Sequence, residues 1–186
     1  MNAAAWQGPS GDILGHCVPI QQFVARSDRA VLVLQHVLAF PEGCSLCLRL
    51  VMRRGPLDEA AWQGLCASLD GGYSAAPGLA ATDTGLKFGV RLPDGSRATT
   101  AENAFRGWAH PTDRPQPPML VEAEGGAAYD DRSYRGDRQL WLWPLPPPGP
   151  FEFVVEWQDL GIGTTAVTLD GSAVVRAAEQ AVPYWP

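Results

Sequence analysis

The sequence predicts a mainly β fold, a two-sheet antiparallel β-sandwich with a short mid-chain helix and a C-terminal helix. Three observations carry that expectation. Apolar residues recur along roughly seven to nine short runs, Pro, Gly, Asp and Ser cluster between the runs, and two segments switch to a spacing of three and four residues.

Residues 1–15 are small, polar and glycine-bearing, so we expect a flexible N-terminal segment there and one sandwich domain over residues 16–186. Residues 18–25 are extended in character. Residues 30–40 are dense enough in Val, Leu and Phe for a strand buried on both faces. Pro41, Glu42 and Gly43 supply a turn. Residues 44–54 then alternate, with Cys44, Leu46, Leu48 and Leu50 opposite Ser45, Cys47, Arg49 and Val51, which predicts a hairpin.

Between Pro56 and Asp70 the apolar positions Leu57, Ala60, Ala61, Leu65 and Leu69 take helical spacing, with Asp58 and Glu59 at the positive end. Residues 71–85 read as a loop. Residues 86–92 and 97–100 flank Pro93-Asp94-Gly95-Ser96, a strong turn signal. A helical turn is expected at 102–108 and a proline-punctuated connection at 111–118. Residues 119–124, 139–145, 151–157 and 164–169 read as strands, and 170–182 as the closing helix.

At 186 residues one core suffices, because folding at this size buries roughly two-thirds of the unfolded surface. A composition of 46% hydrophobic and 18% charged residues is too apolar for a disordered chain. No apolar run approaches the ~20 residues of a membrane helix, and no secretory leader pattern opens the chain. We therefore expect a soluble, cytoplasmic protein without membrane contact, and reduced thiols at Cys17, Cys44, Cys47 and Cys66.

The net charge of −6 arises in the second half: residues 1–100 carry eight basic and eight acidic side chains, residues 101–186 six and twelve. With a pI near 5.0 and no basic cluster, the chain lacks the electrostatic footprint of a nucleic-acid or anionic-membrane binder. No nucleic-acid partner is expected.

Cys44 and Cys47 form a CxxC, but on a strand residues three apart project to opposite faces, which favours core packing over a redox or zinc role. His16, His36 and His110 show no metal-ligand spacing. Glu122 with Glu124, and Glu152 with Glu156, are paired acids that solvent-facing strand positions explain more simply than glycosidic catalysis. No nucleophile-elbow, phosphate-loop or dinucleotide motif is present, so no catalytic residue and no cofactor are assigned.

Two segments carry the candidate binding residues. Residues 129–138 interleave Asp130, Asp131 and Asp137 with Tyr134 and arginines in an expected loop, read first as a solvated loop and otherwise as suited to a protein partner or, more remotely, calcium. Trp141 and Trp143 alternate with Leu140 and Leu142, so both faces of their strand are apolar. Left open, the tryptophan face would suit a partner's apolar surface or a sugar ring; burial under the second sheet or the C-terminal helix is the competing expectation. The proline-rich stretch 144–150 could be read by an aromatic groove or serve as a plain connection.

Residues 31–53, 86–100 (LKFGVRLPDGSRATT) and 140–157 (LWLWPLPPPGPFEFVVEW) resemble a group of uncharacterised actinobacterial proteins. The resemblance implies a sandwich and brings no activity or catalytic residue with it. The leading expectation is a non-catalytic β-sandwich acting through protein contacts. A sugar- or calcium-binding module is the alternative, followed by a metal-dependent hydrolase or oxygenase built on the histidines.

Overall fold

A computed structural model describes residues 4–70, 85–100 and 115–185. The chain runs through β1 (Ile13–Leu14), β2 (His16–Arg26), β3 (Ala30–Phe40), β4 (Gly43–Arg53), α1 (Glu59–Asp70), β5 (Lys87–Arg91) and β6 (Arg97–Thr99). It continues through β7 (Met119–Tyr129), β8 (Ser133–Trp143), β9 (Pro150–Trp157), β10 (Ile162–Asp170), α2 (Gly171–Ala178) and β11 (Val182–Pro183). Strands β2-β3-β4-β8-β7 make a five-stranded sheet, β10-β9-β5-β6 a four-stranded sheet, and β1 with β11 a two-stranded ribbon. Every pairing is antiparallel. The fold is thus mainly β and sandwich-like, with short helices, as the sequence predicts.

Alternation makes the core. Cys44, Leu46, Leu48, Leu50 and Met52 of β4 pack in one buried cluster with Phe151, Phe153, Val155 and Trp157 of β9. Phe88 of β5 stacks on Phe153 with ring centroids 6.0 Å apart. Burying each such large apolar side chain stabilises the fold by roughly 1.5–3 kcal/mol before entropy is counted. Helix α1 contributes Trp62 and Cys66 to this cluster, and α2 contributes Val174, Ala177 and Ala178. No helix among the described residues is long and apolar enough to cross a membrane.

Several boundaries differ from the sequence expectation for local reasons. Helix α1 begins at Glu59 rather than near Pro56, because the Asp58 carboxylate accepts the Ala61 amide at 2.8 Å and caps the first turn. Helix α2 ends at Ala178 instead of reaching residue 182, which frees Val182 to pair with Leu14. The expected strands at 119–124 and 139–145 belong to one long hairpin, β7–β8, whose Gly125–Tyr129 and Ser133–Arg138 stretches pair despite lacking an apolar pattern. In β3 the residues facing the four-stranded sheet are buried, whereas Val31, Val33 and His36 on the other face are half-covered, so burial on both faces is limited to the end near Phe40. The loop expected at 71–85 and the helical turn expected at 102–108 fall almost wholly outside the described residues, as does His110.

Of the segment expected to be flexible, residues 4–6 and Ile13 pack against the sheet, whereas Gly11, Asp12 and Leu14 are exposed. Trp6 is buried in a second cluster on the outer face of the five-stranded sheet, and Ile13 packs against the same cluster. Gly15 then passes directly over the Phe40 ring, where any side chain would meet ring atoms at 2.6–2.8 Å.

Candidate functional site

The tryptophan face of β8 is closed. Strand β8 sends Leu140 and Leu142 into the sandwich core and Trp141 and Trp143 to the outer face, where they are 0% and 5% exposed. Phe40 meets Trp141 edge-on at 5.7 Å, and Met119 and Val121 of β7 lie opposite Trp143 and Trp141 in the ladder. The cover is neither the second sheet nor the C-terminal helix, both of which pack on the inner face. Among the described residues it is the N-terminal segment: Ala4, Ala5 and Trp6 lie on the cluster, and the Trp141 indole Nε1–H donates to the Ala5 carbonyl at 2.9 Å. An open aromatic platform for a partner or a sugar is therefore not formed at Trp141 and Trp143.

The second candidate segment is not a loop. Only residues 130–132 turn; Tyr134, Asp137 and Arg138 belong to β8. The Asp130 carboxylate accepts the amides of Arg132 and Ser133 at 2.8 and 2.7 Å, and these hydrogen bonds hold its carboxyl below the ordinary range. Asp131 sits exposed at the tip. Asp137 pairs with Arg49 at 2.9 Å across the outer face of the sheet. Among the described residues no three His, Cys, Asp or Glu side chains are grouped as a metal site requires.

Tyr134, expected in a binding loop, is fully buried because β8 turns it inward beside Arg138. Arg138 is 5% exposed and meets four acceptors: the Tyr134 hydroxyl at 2.7 Å, the Leu69 carbonyl at 2.5 Å, its neighbour Asp137's carbonyl at 3.0 Å, and Glu122 at 3.0 Å. Desolvation pushes the Glu122 carboxyl up from its ordinary value, and Arg138 pulls it back in part. This network ties β7 and β8 to the last turn of α1. The hairpin tip and Trp143 stand at opposite ends of β8, roughly 30 Å apart at the rise of an extended strand, so the two candidate segments do not form one site.

The remaining candidates resolve into structure. Cys44 faces the core with its thiol pushed up to about 12 by burial and then by Cys47; Cys47 faces outward but is covered, its thiol raised to about 11 by burial, Cys17 and Asp137. His16 and His36 stand three ladder positions apart along the β2–β3 pair. Glu152 pairs with Arg91 at 2.9 Å, and Glu156 accepts from Thr164 and Gln158, which lowers its carboxyl. The 144–150 stretch is pinned at both ends: the Leu145 amide donates to the Glu42 carbonyl and the Gly149 amide to the Ser172 hydroxyl.

The open apolar surface lies elsewhere. Leu14, Val182, Tyr184 and Trp185 are 49%, 50%, 53% and 74% exposed, and all belong to the terminal ribbon and the residues just after it. Leu14 pairs with Val182, and the Tyr184 amide donates to the Asp12 carbonyl, which places Leu14, Val182 and Tyr184 on one face. The other exposed rings are better occupied. The Arg26 guanidinium lies 3.2 Å from the Phe23 centroid, and Tyr129 stacks on Tyr134 at 6.0 Å. Sequence reasoning missed the ribbon because its strands are too short to show a period; the available signal was the Val-Pro-Tyr-Trp run in a stretch without charge.

Comparison of the chain with protein-family models, with curated proteins and with solved structures finds no match.

Proposed function

We propose that this chain is a non-catalytic β-sandwich that acts through protein contacts, and that its contact surface is the terminal ribbon. One observation carries the reading: three large apolar side chains, Leu14, Val182 and Tyr184, stand exposed on one face of a hydrogen-bonded ribbon, and Trp185, the next residue in the chain, is exposed as well. A contiguous exposed apolar patch has a solvation cost that a partner removes, and tyrosine and tryptophan anchor interfaces well because they add large area at small entropic cost. Four free thiols suit a reducing cytoplasm.

The test is affinity capture from native lysate with the tagged wild-type chain beside a Tyr184→Ser, Trp185→Ser variant. Both positions are exposed, so the variant should melt like the wild type. A stoichiometric protein retained by the wild type and lost by the variant supports the reading; equal capture by both, or none by either, overturns it.

A further inference from the structure

The geometry points to the Trp141/Trp143 face as a peptide-recognition site that the chain occupies with its own residues 4–7, so that the N-terminal segment is a tethered competitor for an external peptide carrying a tryptophan after two small residues. The inference is independent of the ribbon: the face exists whether or not a partner lands there.

The face is built without the segment that covers it. Phe40, Trp141, Trp143 and Met119 come from β3, β8 and β7, and they form a cluster separate from the sandwich core. Removing residues 4–7 leaves every strand of the five-stranded sheet paired. The cover is held in the manner of a bound peptide: one ring, that of Trp6, packs among the aromatics, and one indole N–H of the face reads a backbone carbonyl, that of Ala5. Ala4 and Ala5 lie on the same surface, where their small side chains let the backbone approach.

The tether suits a reversible contact. Residues 8–11 are Gly-Pro-Ser-Gly, and both glycines stand in open space. The segment turns on itself, with the Gln7 amide donating to the Ala4 carbonyl, and its further hydrogen bonds to the sheet are limited, among those described, to the Trp141 contact. Beyond the β1–β11 ribbon, where Ile13 also packs on the cluster, Trp6 is the one large side chain that anchors residues 4–11, and so small an anchor for an ordered stretch places it toward the low-stability end of the fold. Residues 4–7 carry no charge, so recognition rests on the ring, the small neighbours and the carbonyl, and binding should be insensitive to salt.

The competitor sets the observable. An external ligand sees only the fraction of molecules whose face is open, so its apparent affinity falls by that fraction. The probe is a fluorescein-labelled decapeptide with the sequence of residues 1–10, titrated by anisotropy into the full-length wild type and into Trp6→Ala and Trp6→Phe variants. Trp6→Ala should bind the peptide at least about tenfold more tightly than the wild type, with Trp6→Phe in between, because phenylalanine still fills the face. The same peptide with its tryptophan replaced by alanine should not bind. In Trp6→Ala the Trp141 indole N–H resonance should move, and peptide should return it toward its wild-type position. Absence of binding to a Trp6→Ala variant whose circular dichroism is native would overturn the proposal. So would loss of the fold in that variant, since the segment would then be part of the core rather than its occupant.

Discussion

The Trp62 indole N–H on α1 donates to the Asp130 carbonyl at the tip of the β7–β8 hairpin, 2.7 Å away, joining elements 68 residues apart in the chain. The ring is fully buried, so it supplies both area and a directional contact. Trp62→Phe keeps most of the area and removes the donor of a part-buried hydrogen bond; it should cost about 1 kcal/mol. Trp62→Ala, which opens a cavity between helix and sheet, should cost about 3–5 kcal/mol. Urea unfolding measures both, and a Trp62→Phe variant as stable as the wild type would mean that the hydrogen bond contributes nothing beyond packing.

Arg138 stands at the centre of the second link between helix and hairpin. Replacing it by methionine keeps the stem but removes the hydrogen bonds that Arg138 donates to the Leu69 carbonyl, the Tyr134 hydroxyl and the Glu122 carboxylate. We expect a loss of about 2–4 kcal/mol, held below the figure for a fully buried pair because solvent reaches Glu122.

The carboxyl partner of that pair has its own pH signature. Glu122 is raised in the folded state, mainly by desolvation, so the folded protein prefers its protonated form relative to the unfolded chain. Its favourable contribution is present below the ordinary carboxyl range and fades as pH rises through the raised value. Glu122→Gln fixes a neutral side chain there. The difference in Tm, variant minus wild type, should therefore grow more positive from mildly acidic pH to neutrality. A flat or falling difference would show that Arg138 outweighs desolvation.

Burial changes what substitutions at Trp141 and Trp143 report. On an open face, replacing both by alanine would abolish partner capture and leave the fold intact; in the closed cluster, each replacement should instead cost about 3–5 kcal/mol and lower the melting temperature. Chemical denaturation separates the two cases.

How far the chain was legible follows from what each signal measures. Alternation along residues 44–54 and 151–157 fixes which side chains share a face, and those faces meet in the core. The same alternation at Trp141 and Trp143 says that both faces of β8 are apolar, but it carries no information on what covers the second. The cover came from residues 4–15, where a single tryptophan in a small, polar segment was the only hint. Residues 129–138 misled for the opposite reason. Glycine, aspartate and arginine read as a loop, yet hairpin pairing and the Arg49–Asp137 ion pair hold Tyr129 and residues 133–138 as strand around the short Asp130 turn, a tertiary effect that overrides local propensity.

The thiols give a test of the whole burial pattern with one reagent. Cys17 is exposed on β2, whereas Cys44, Cys47 and Cys66 are buried. Burial pushes the Cys44 and Cys47 thiols to about 12 and about 11, so neither supplies appreciable thiolate at neutral pH. A thiol-exchange chromogen at neutral pH should therefore modify one cysteine per native chain quickly and all four after denaturation. Mass spectrometry of the briefly modified protein should place the label on Cys17. A second fast site at Cys47 would mean that the outer face of β4 is more open than its neighbours on β3 and β8 imply, and a second fast site at Cys66 would mean that α1 lifts from the sheet.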